Sequence, residues 1–348
     1  MADMEIRVEG TVGRMTFNRP KALNALTYEM CLQVEEALDA WRDDPKVTLL
    51  LIDAAGDRAF CAGGDLQEMY DTGRAGDFTY GRKFWRDEYR MNAKMAEYPK
   101  PVVSFLKGFT MGGGVGVGCH GSHRIVGESS QVAMPEVGVG LVPDVGGSFI
   151  LANAPGRLGE YLGTTAARMG PADAILAGFA DLFVPEARWQ DLTAALVASG
   201  DAGVIDGFIA SPPPGTLIAE LDAINAHFGG ETLGDIKRSL DHDGGDWAQK
   251  TLKTLARNAP LSMACTVEMV HRLRGATDIR RALELEYRFT HRSMEHGDFL
   301  EGIRAAIIDK DRAPRWRHDG IDGLNPVDMT RMLMPLGKDA LTFEEEAV

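Results

Sequence analysis

The segment Val47-Thr-Leu-Leu-Leu-Ile52 decides the fold class of this chain. It is a continuous apolar run with β-branched residues, which is typical of a strand buried on both faces of a parallel sheet. A second run of this kind, Pro101–Phe105, follows an amphipathic segment over Phe84–Tyr98 that predicts a helix. The order strand, helix, strand therefore predicts an α/β protein with right-handed crossovers.

Upstream of this segment, the sequence predicts a hairpin and then a helix. Glu5–Glu9 and Arg14–Asn18 alternate apolar and polar residues on either side of a turn at Gly10–Gly13. Thr27 is a suitable N-cap for the helix, which Pro45 ends. The apolar residues at helical spacing on one face of that helix are Met30, Val34, Ala37, Leu38 and Trp41.

Downstream of Pro185 the strand-like runs stop and helical patterns continue to about Asp309, most clearly over Asp278–Met294. The sequence thus predicts a core over residues 1–200 that carries the active site and a mainly helical C-terminal region over residues 201–348. The polar tail after Lys310 ends in Glu344-Glu-Glu346, and this terminus is predicted to be mobile.

Composition excludes several classes of partner. A net charge of −14 argues against nucleic-acid binding, which requires a basic surface. No apolar run approaches the ~18 residues of a membrane span, and the first ten residues lack the apolar core of a signal peptide. The four cysteines contain no Cys-x-x-Cys pair, and the histidines contain no His-x-x-x-His pair. We therefore expect no metal site and a cytoplasmic location, or an organelle matrix if a targeting segment was removed.

The first candidate for chemistry is the segment Ala133–Gly147, in which Glu136 and Asp144 each follow a proline and precede glycines. Carboxylates in turns are commonly solvated, but apolar residues surround this pair and disfavour full exposure. These apolar neighbours are Val137, Val139, Leu141 and Val142. Two carboxyls in a partly dry cleft acquire different proton affinities, so one can act as a base and the other as an acid.

Two glycine-rich loops, Arg58–Leu66 and Gly108–Gly121, are the second candidate, and each follows a predicted strand. Such loops can aim backbone N–H groups at a ligand. A purely structural interpretation is also open for each: the first loop can be a tight turn, and the glycines of the second can let a helix pack closely. Gly116-x-Gly118-x-x-Gly121 matches the dinucleotide fingerprint, but the first strand–helix unit lacks it, which disfavours that interpretation. Backbone donors beside paired carboxylates favour carbonyl chemistry.

Five segments, in this order and spacing, resemble the crotonase (enoyl-CoA hydratase/isomerase) superfamily. They are Phe17–Leu26, Ala59–Leu66, Lys100-Pro-Val-Val103, Met111-Gly-Gly-Gly114 and Met134-Pro-Glu136. The resemblance implies an α/β fold, a spiral of ββα units with a helical C-terminal region. It also implies a coenzyme A thioester as ligand, with no separate cofactor, and an oxyanion hole made by the N–H groups of Gly64 and Gly113.

Within that superfamily the chain departs from the hydratases, which carry a second glutamate where this chain has Gly116 and a glycine where it has Asp144. Its Pro-Glu136 and Pro-Asp144-Val-Gly-Gly pattern resembles the 3-hydroxyisobutyryl-CoA hydrolases of valine catabolism, as do Phe84–Tyr89 and Leu285–Trp316. The resemblance implies that Glu136 and Asp144 are catalytic and that Glu88 contacts the substrate. Glu136 would either attack the thioester to form a mixed anhydride or activate a water molecule.

Other functions stay open at this point. An enoyl-CoA hydratase or a dienoyl-CoA isomerase is an alternative within the superfamily, and dienoyl-CoA isomerases also pair a glutamate with an aspartate at these positions. A non-catalytic acyl-CoA-binding protein is an alternative of another class. Homo-oligomer formation is open as well.

Overall fold

The computed structural model describes residues 2–343, so the run Glu344–Glu346, with its predicted mobility, lies outside the described residues. The strands are β1 (Met4–Glu9), β2 (Val12–Phe17), β3 (Leu49–Ala54), β4 (Ala59–Cys61), β5 (Val102–Leu106), β6 (Phe109–Met111), β7 (His123–Val126), β8 (Gln131–Ala133) and β9 (Leu182–Phe183). The α-helices are α1 (Tyr28–Arg42), α2 (Gln67–Arg74), α3 (Thr79–Ala96), α4 (Gly113–Gly118), α5 (Gly147–Asn153), α6 (Leu158–Thr165), α7 (Pro171–Leu176), α8 (Trp189–Ser199), α9 (Leu217–His227), α10 (Leu233–Asp243), α11 (Asp246–Leu255), α12 (Pro260–Leu273), α13 (Ile279–His296), α14 (Phe299–Ile303) and α15 (Pro326–Leu333).

The chain forms two compact units that alternate along the sequence. The first unit runs to Gly64 and adds Arg90–Ala133 and Arg168–Ile218. The second unit comprises Asp65–Tyr89, Met134–Ala167 and the chain from Ala219 onward. The division predicted from composition, residues 1–200 and 201–348, stays a prediction.

The first unit holds a sheet with the strand order β1-β2-β3-β5-β7-β9. The predicted hairpin is confirmed, because β1 and β2 pair antiparallel from Met4 opposite Phe17 to Glu9 opposite Val12. Every other neighbouring pair in this sheet is parallel. The parallel order agrees with the α/β class that the buried strand runs predict.

Strand β3 begins two residues later than the apolar run suggests, at Leu49 instead of Val47. Thr48 lies before the strand, where its N–H donates to the Thr11 carbonyl at 2.8 Å and its hydroxyl donates to the Gly200 carbonyl at 2.7 Å. The strand then continues through Asp53 and Ala54, whose partners in β2 are Thr16 and Phe17. The sequence did not predict this end of β3, because Asp53 and Ala54 belong to the strand through their pairing with β2 and not through apolar character.

Helix α1 matches its prediction. The Thr27 hydroxyl accepts a hydrogen bond from the Met30 N–H at 3.2 Å and thereby caps the helix. All five apolar residues predicted on one face are buried, namely Met30, Val34, Ala37, Leu38 and Trp41. Burial of this face attaches α1 to the core of the first unit.

A second sheet in the first unit joins β4, β6 and β8 in that order, with parallel pairing. Each strand has only three residues, which is too short for a pattern of alternation to be recognised in the sequence. Because β4 and β6 are parallel neighbours, the glycine loops that follow them start at the same edge of this sheet.

The second unit is helical. Its helix α13 has Asp278 as N-cap, whose carboxylate accepts from the Arg280 N–H at 2.8 Å, as the sequence predicts. The buried side of α13 includes Leu283 and Phe289, and α12 is buried over most of its length. The prediction of an α/β fold with a helical C-terminal region is thereby confirmed.

Candidate active site

Buried carboxyl groups gather in the second unit. Glu88, Glu136, Asp144 and Glu286 are each at most 6% exposed. Electrostatic repulsion from Asp144 reaches each of the three glutamates, so these groups form one cluster. Their burial is costly unless they are protonated or hydrogen-bonded, which marks the cluster as a candidate for proton chemistry.

Glu136 begins a short 3-10 helix, Glu136–Val139, and follows β8 closely in the chain. Gly140 ends this turn in the left-handed conformation, with φ of 76°, and the Leu141 N–H donates to the Glu136 carbonyl at 3.0 Å. The side-chain oxygen Oε2 of Glu136 is buried and has no hydrogen-bond partner within residues 2–343. A carboxyl oxygen that the fold leaves unsatisfied is available to a bound molecule.

Asp144 is held by Tyr89, a fully buried residue on α3. The Tyr89 hydroxyl donates to Oδ2 of Asp144 at 2.7 Å, and it lies 3.5 Å from the Thr290 hydroxyl. The Tyr89 ring packs edge-on against Tyr287, with their centroids 6.2 Å apart. A charge-assisted bond of this length fixes the orientation of the Asp144 carboxyl group.

Burial raises the pKa of these acids. It raises the pKa of Asp144 to about 7, although the bond from Tyr89 acts in the opposite direction. Burial, together with repulsion from Asp144, raises the pKa of Glu136 and of Glu88 well above the ordinary range. A carboxyl group with a pKa near 7, as in Asp144, can exchange protons near neutral pH.

Glu286 on α13 is the fourth acid of the cluster, and burial raises its pKa to about 8. Its carboxyl group accepts from the Gly146 N–H at 2.9 Å, from the Ser148 N–H at 3.1 Å and from the Ser148 hydroxyl. These donors lie just after Asp144 in the chain. Glu286 thus contacts the segment that carries Asp144.

The predicted oxyanion-hole glycines lie in the first unit. Gly64 follows β4, where the Gly63 carbonyl accepts from the Leu26 N–H at 2.9 Å. Gly113 is the first residue of α4 and follows β6, so its N–H has no acceptor within the helix. The preceding Gly112 has φ of 49° and ψ of −120°, a conformation that requires glycine.

Part of the second glycine loop serves close packing, which the sequence left as an alternative. A Cβ on Gly114 would lie 2.2 Å from the Cys61 carbonyl oxygen, and a Cβ on Gly118 would lie 2.7 Å from both Leu106 and Phe60. These two glycines let α4 approach β4 and β5. Gly112 and Gly113 differ from them, because they shape the start of the helix.

Sequence reasoning missed Tyr89 and Glu286. The helical spacing in the sequence places both residues on an apolar helix face. Tyr89 is one helical turn from Trp85, and Glu286 is three residues from both Leu283 and Phe289. A polar residue that shares the apolar face of a helix is expected to be buried. Their partners come from distant parts of the chain, so the sequence did not indicate what they contact.

Within residues 2–343, no group of three or more His, Cys, Asp or Glu side chains is arranged to hold a metal ion. Over the same residues, no helix has both the length and the apolar character that crossing a bilayer requires.

Comparison with known proteins adds independent findings. The family model described as enoyl-CoA hydratase/isomerase matches residues 12–333. The 3-hydroxyisobutyryl-CoA hydrolase of Gallus gallus, a mitochondrial protein, is 34% identical over 98% of this chain and 91% of its own length.

Two solved structures share the fold along the whole chain. One is an enoyl-CoA hydratase from Rhodobacter sphaeroides 2.4.1, 54% identical with a TM-score of 0.94 over 98% of this chain and 100% of that chain. The other is a carnitinyl-CoA dehydratase from Mycobacterium thermoresistibile, 38% identical with a TM-score of 0.94 over 99% of this chain and 100% of that chain. The predicted crotonase fold is confirmed, and the chain belongs to the enoyl-CoA hydratase/isomerase family.

Proposed function

We propose that this chain hydrolyses short 3-hydroxyacyl-CoA thioesters, with 3-hydroxyisobutyryl-CoA as the preferred substrate, to the hydroxy acid and free coenzyme A. This reaction is a step of valine catabolism. The observation that carries the proposal is the buried pair Glu136 and Asp144 in a chain whose helix α4 has Gly116 and no acid. The similarity to the hydrolase of Gallus gallus supports the same assignment.

Glu136 is the proposed group that starts the reaction, either by attacking the thioester carbonyl or by activating a water molecule. Its buried, unpartnered Oε2 supports this role, because a free carboxylate oxygen is what either route needs. Both routes use the ionised form. The raised pKa makes that form a stronger base than an ordinary glutamate once it is ionised.

The N–H groups of Gly64 and Gly113 are proposed to donate to the carbonyl oxygen as it becomes an oxyanion. Loss of one such donor in other enzymes costs about 10²–10³ in rate. Collapse of the tetrahedral intermediate then breaks the carbon–sulfur bond. If Glu136 is the nucleophile, this leaves a mixed anhydride, which a water molecule hydrolyses to the hydroxy acid and the free Glu136 carboxylate; if Glu136 activates water, the hydroxy acid forms directly. Because thiols ionise near pH ~8.5, coenzyme A leaves as a thiolate without a strong general acid.

Asp144 and Glu88 are proposed to hold the 3-hydroxyl group of the substrate. A hydroxyl group both accepts and donates, so it can accept from one carboxyl group in its neutral form and donate to the other in its ionised form. Burial raises the pKa of Glu88 well above its ordinary range and so favours the neutral form, which can donate. Burial raises the pKa of Asp144 to about 7, and its ionised form can accept. A substrate that lacks the hydroxyl group is therefore expected to react more slowly.

Tyr89→Phe is expected to move the acidic limb of the pH–rate profile upward by about one pH unit. The Tyr89 hydroxyl lowers the pKa of Asp144 by donating to it, so its removal raises that pKa further. Profiles of kcat/KM from pH 5 to pH 9 measure the shift. An unchanged limb would show that Asp144 does not control the rate.

The proposed substrate is tested by titrating released thiol with 3-hydroxyisobutyryl-, 3-hydroxypropionyl- and crotonyl-CoA. We expect thiol release from both hydroxyacyl thioesters, with the larger kcat/KM for 3-hydroxyisobutyryl-CoA. Loss of enoyl absorbance from crotonyl-CoA without thiol release would instead identify a hydratase. An isomerase releases no thiol from any of the three, and a binding protein turns over none.

A further inference from the structure

The turn that carries Asp144 has an unusual backbone. The Gly147 N–H donates to the Asp144 carbonyl at 2.7 Å, which closes a turn over residues 144–147. The two central residues are both left-handed, Val145 with φ of 52° and Gly146 with φ of 80°. This is the backbone of a type I′ turn, which favours glycine, asparagine or aspartate at both places.

Val145 does not suit this conformation. Its branched Cβ clashes with the backbone when φ is positive, so the turn is strained at this residue. Val145 is buried, at 1% exposure, and cannot relax toward solvent. Strain of this kind persists only where the surroundings hold the backbone in place, and it is common at functional sites.

Glu286 supplies the contacts that hold this turn. One carboxyl oxygen accepts from the Gly146 N–H at 2.9 Å, inside the turn, and the other accepts from the Ser148 N–H at 3.1 Å, just beyond it. The Ser148 hydroxyl donates to the second oxygen as well. A carboxyl group on a buried helix face thus bridges two backbone donors on either side of Gly147.

The chemistry of this bridge requires two acceptor oxygens. An apolar side chain at residue 286 would leave two buried N–H groups without partners, which is costly. A glutamine would present one oxygen and one NH₂ group, so one backbone N–H would face another donor. The bridge is therefore specific to a carboxyl group and not only to a side chain of this size.

We propose that Glu286 is a positioning residue that keeps the strained turn at Val145 in place and thereby aims the Asp144 carboxyl group at the substrate. The Tyr89 hydroxyl holds the side chain of Asp144, while Glu286 holds the backbone of the turn that follows Asp144, at Gly146 and Ser148. This inference rests on the proposed function for the role of Asp144. The backbone contacts themselves are independent of the reaction.

The test compares Glu286→Gln in two backgrounds, the natural chain and Val145→Gly. In the natural chain we expect kcat to fall about 10²-fold, because a displaced Asp144 no longer orients the bound substrate for attack. In the Val145→Gly background the turn is unstrained, since glycine adopts positive φ freely, and the loss in kcat is expected to shrink to about tenfold. Such a rescue would not follow if Glu286 acted only through its charge.

Ser148→Ala serves as the matched variant, because it removes one of the three donors and keeps both backbone bonds to Glu286. Its kcat is expected to stay within about tenfold of the natural chain. If Glu286→Gln does not fold alone, the variant Val145→Gly is compared with the double variant Val145→Gly, Glu286→Gln.

Amide hydrogen exchange gives a readout that needs no substrate. In Glu286→Gln the N–H groups of Gly146 and Ser148 are expected to exchange faster, while the amides of α13, which carries residue 286, stay unchanged. Natural kcat together with natural protection of these two amides would overturn the proposal, as would an equal loss of kcat in both backgrounds. If the natural chain hydrolyses no hydroxyacyl-CoA, the proposed function fails, and the exchange rates still decide whether Glu286 holds the turn.

Discussion

Glu136→Gln is expected to lower kcat for thioester hydrolysis about 10³-fold, because it removes the proposed nucleophile or general base and keeps the size of the side chain. The Glu136 side chain is buried and its Oε2 makes no hydrogen bond within residues 2–343. The substitution therefore breaks no bond at that atom, and the variant is expected to fold. Thiol release under saturating substrate measures the effect.

Glu268→Gln is the control for this experiment. Glu268 lies on α12 and pairs with Arg272 at the helix surface, at 2.7 Å, outside the carboxyl cluster. It is expected to keep the natural rate, since surface ion pairs of this kind contribute little. A Glu136→Gln variant with near-natural turnover would contradict the assignment of Glu136.

Asp144→Asn is expected to make the protein more stable, and increasingly so as the pH rises. Burial raises the folded-state pKa of Asp144 to about 7 from an ordinary value of 3.8, so the folded chain binds more protons than the unfolded chain between these values. The free energy of unfolding of the natural chain therefore falls as the pH rises through this window. Since one pKa unit corresponds to about 1.4 kcal/mol, the cost reaches about 4 kcal/mol at pH 8.

Asparagine carries no charge and escapes this cost, while its side-chain oxygen can still accept from Tyr89. Urea unfolding at pH 5 and pH 8 is expected to show a stability difference between Asp144→Asn and the natural chain that grows by about 2–3 kcal/mol. Asp241→Asn, at a half-exposed residue on α10 that pairs with Lys237, is the control and is expected to show no such growth. A constant difference would mean that Asp144 is ionised in the folded chain at both pH values.

Local patterns in the sequence predicted the elements whose burial follows a simple period. The apolar face of α1, the Thr27 and Asp278 caps and the first hairpin are examples. The three-residue strands β4, β6 and β8 were beyond such patterns, because they are stabilised by pairing with one another and by the close approach that Gly114 permits.

The candidate site likewise has residues that local patterns predicted and contacts that they did not. Glu136 and Asp144 were predicted from prolines, glycines and apolar neighbours, and both are buried in one cluster with Glu88. The contacts of Tyr89 and Glu286 with the Asp144 segment join residues far apart in the chain, so no local pattern indicated them. The left-handed Val145 was equally hidden, since a valine in sequence does not predict positive φ.

The most direct measurement mixes the natural protein with 3-hydroxyisobutyryl-CoA and follows free thiol and 3-hydroxyisobutyrate together. We expect the two products to appear in equal amounts, at a rate that Glu136→Gln lowers about 10³-fold. The absence of thiol release from this thioester, in a protein that converts crotonyl-CoA to its hydrated form, would contradict the proposed hydrolase function.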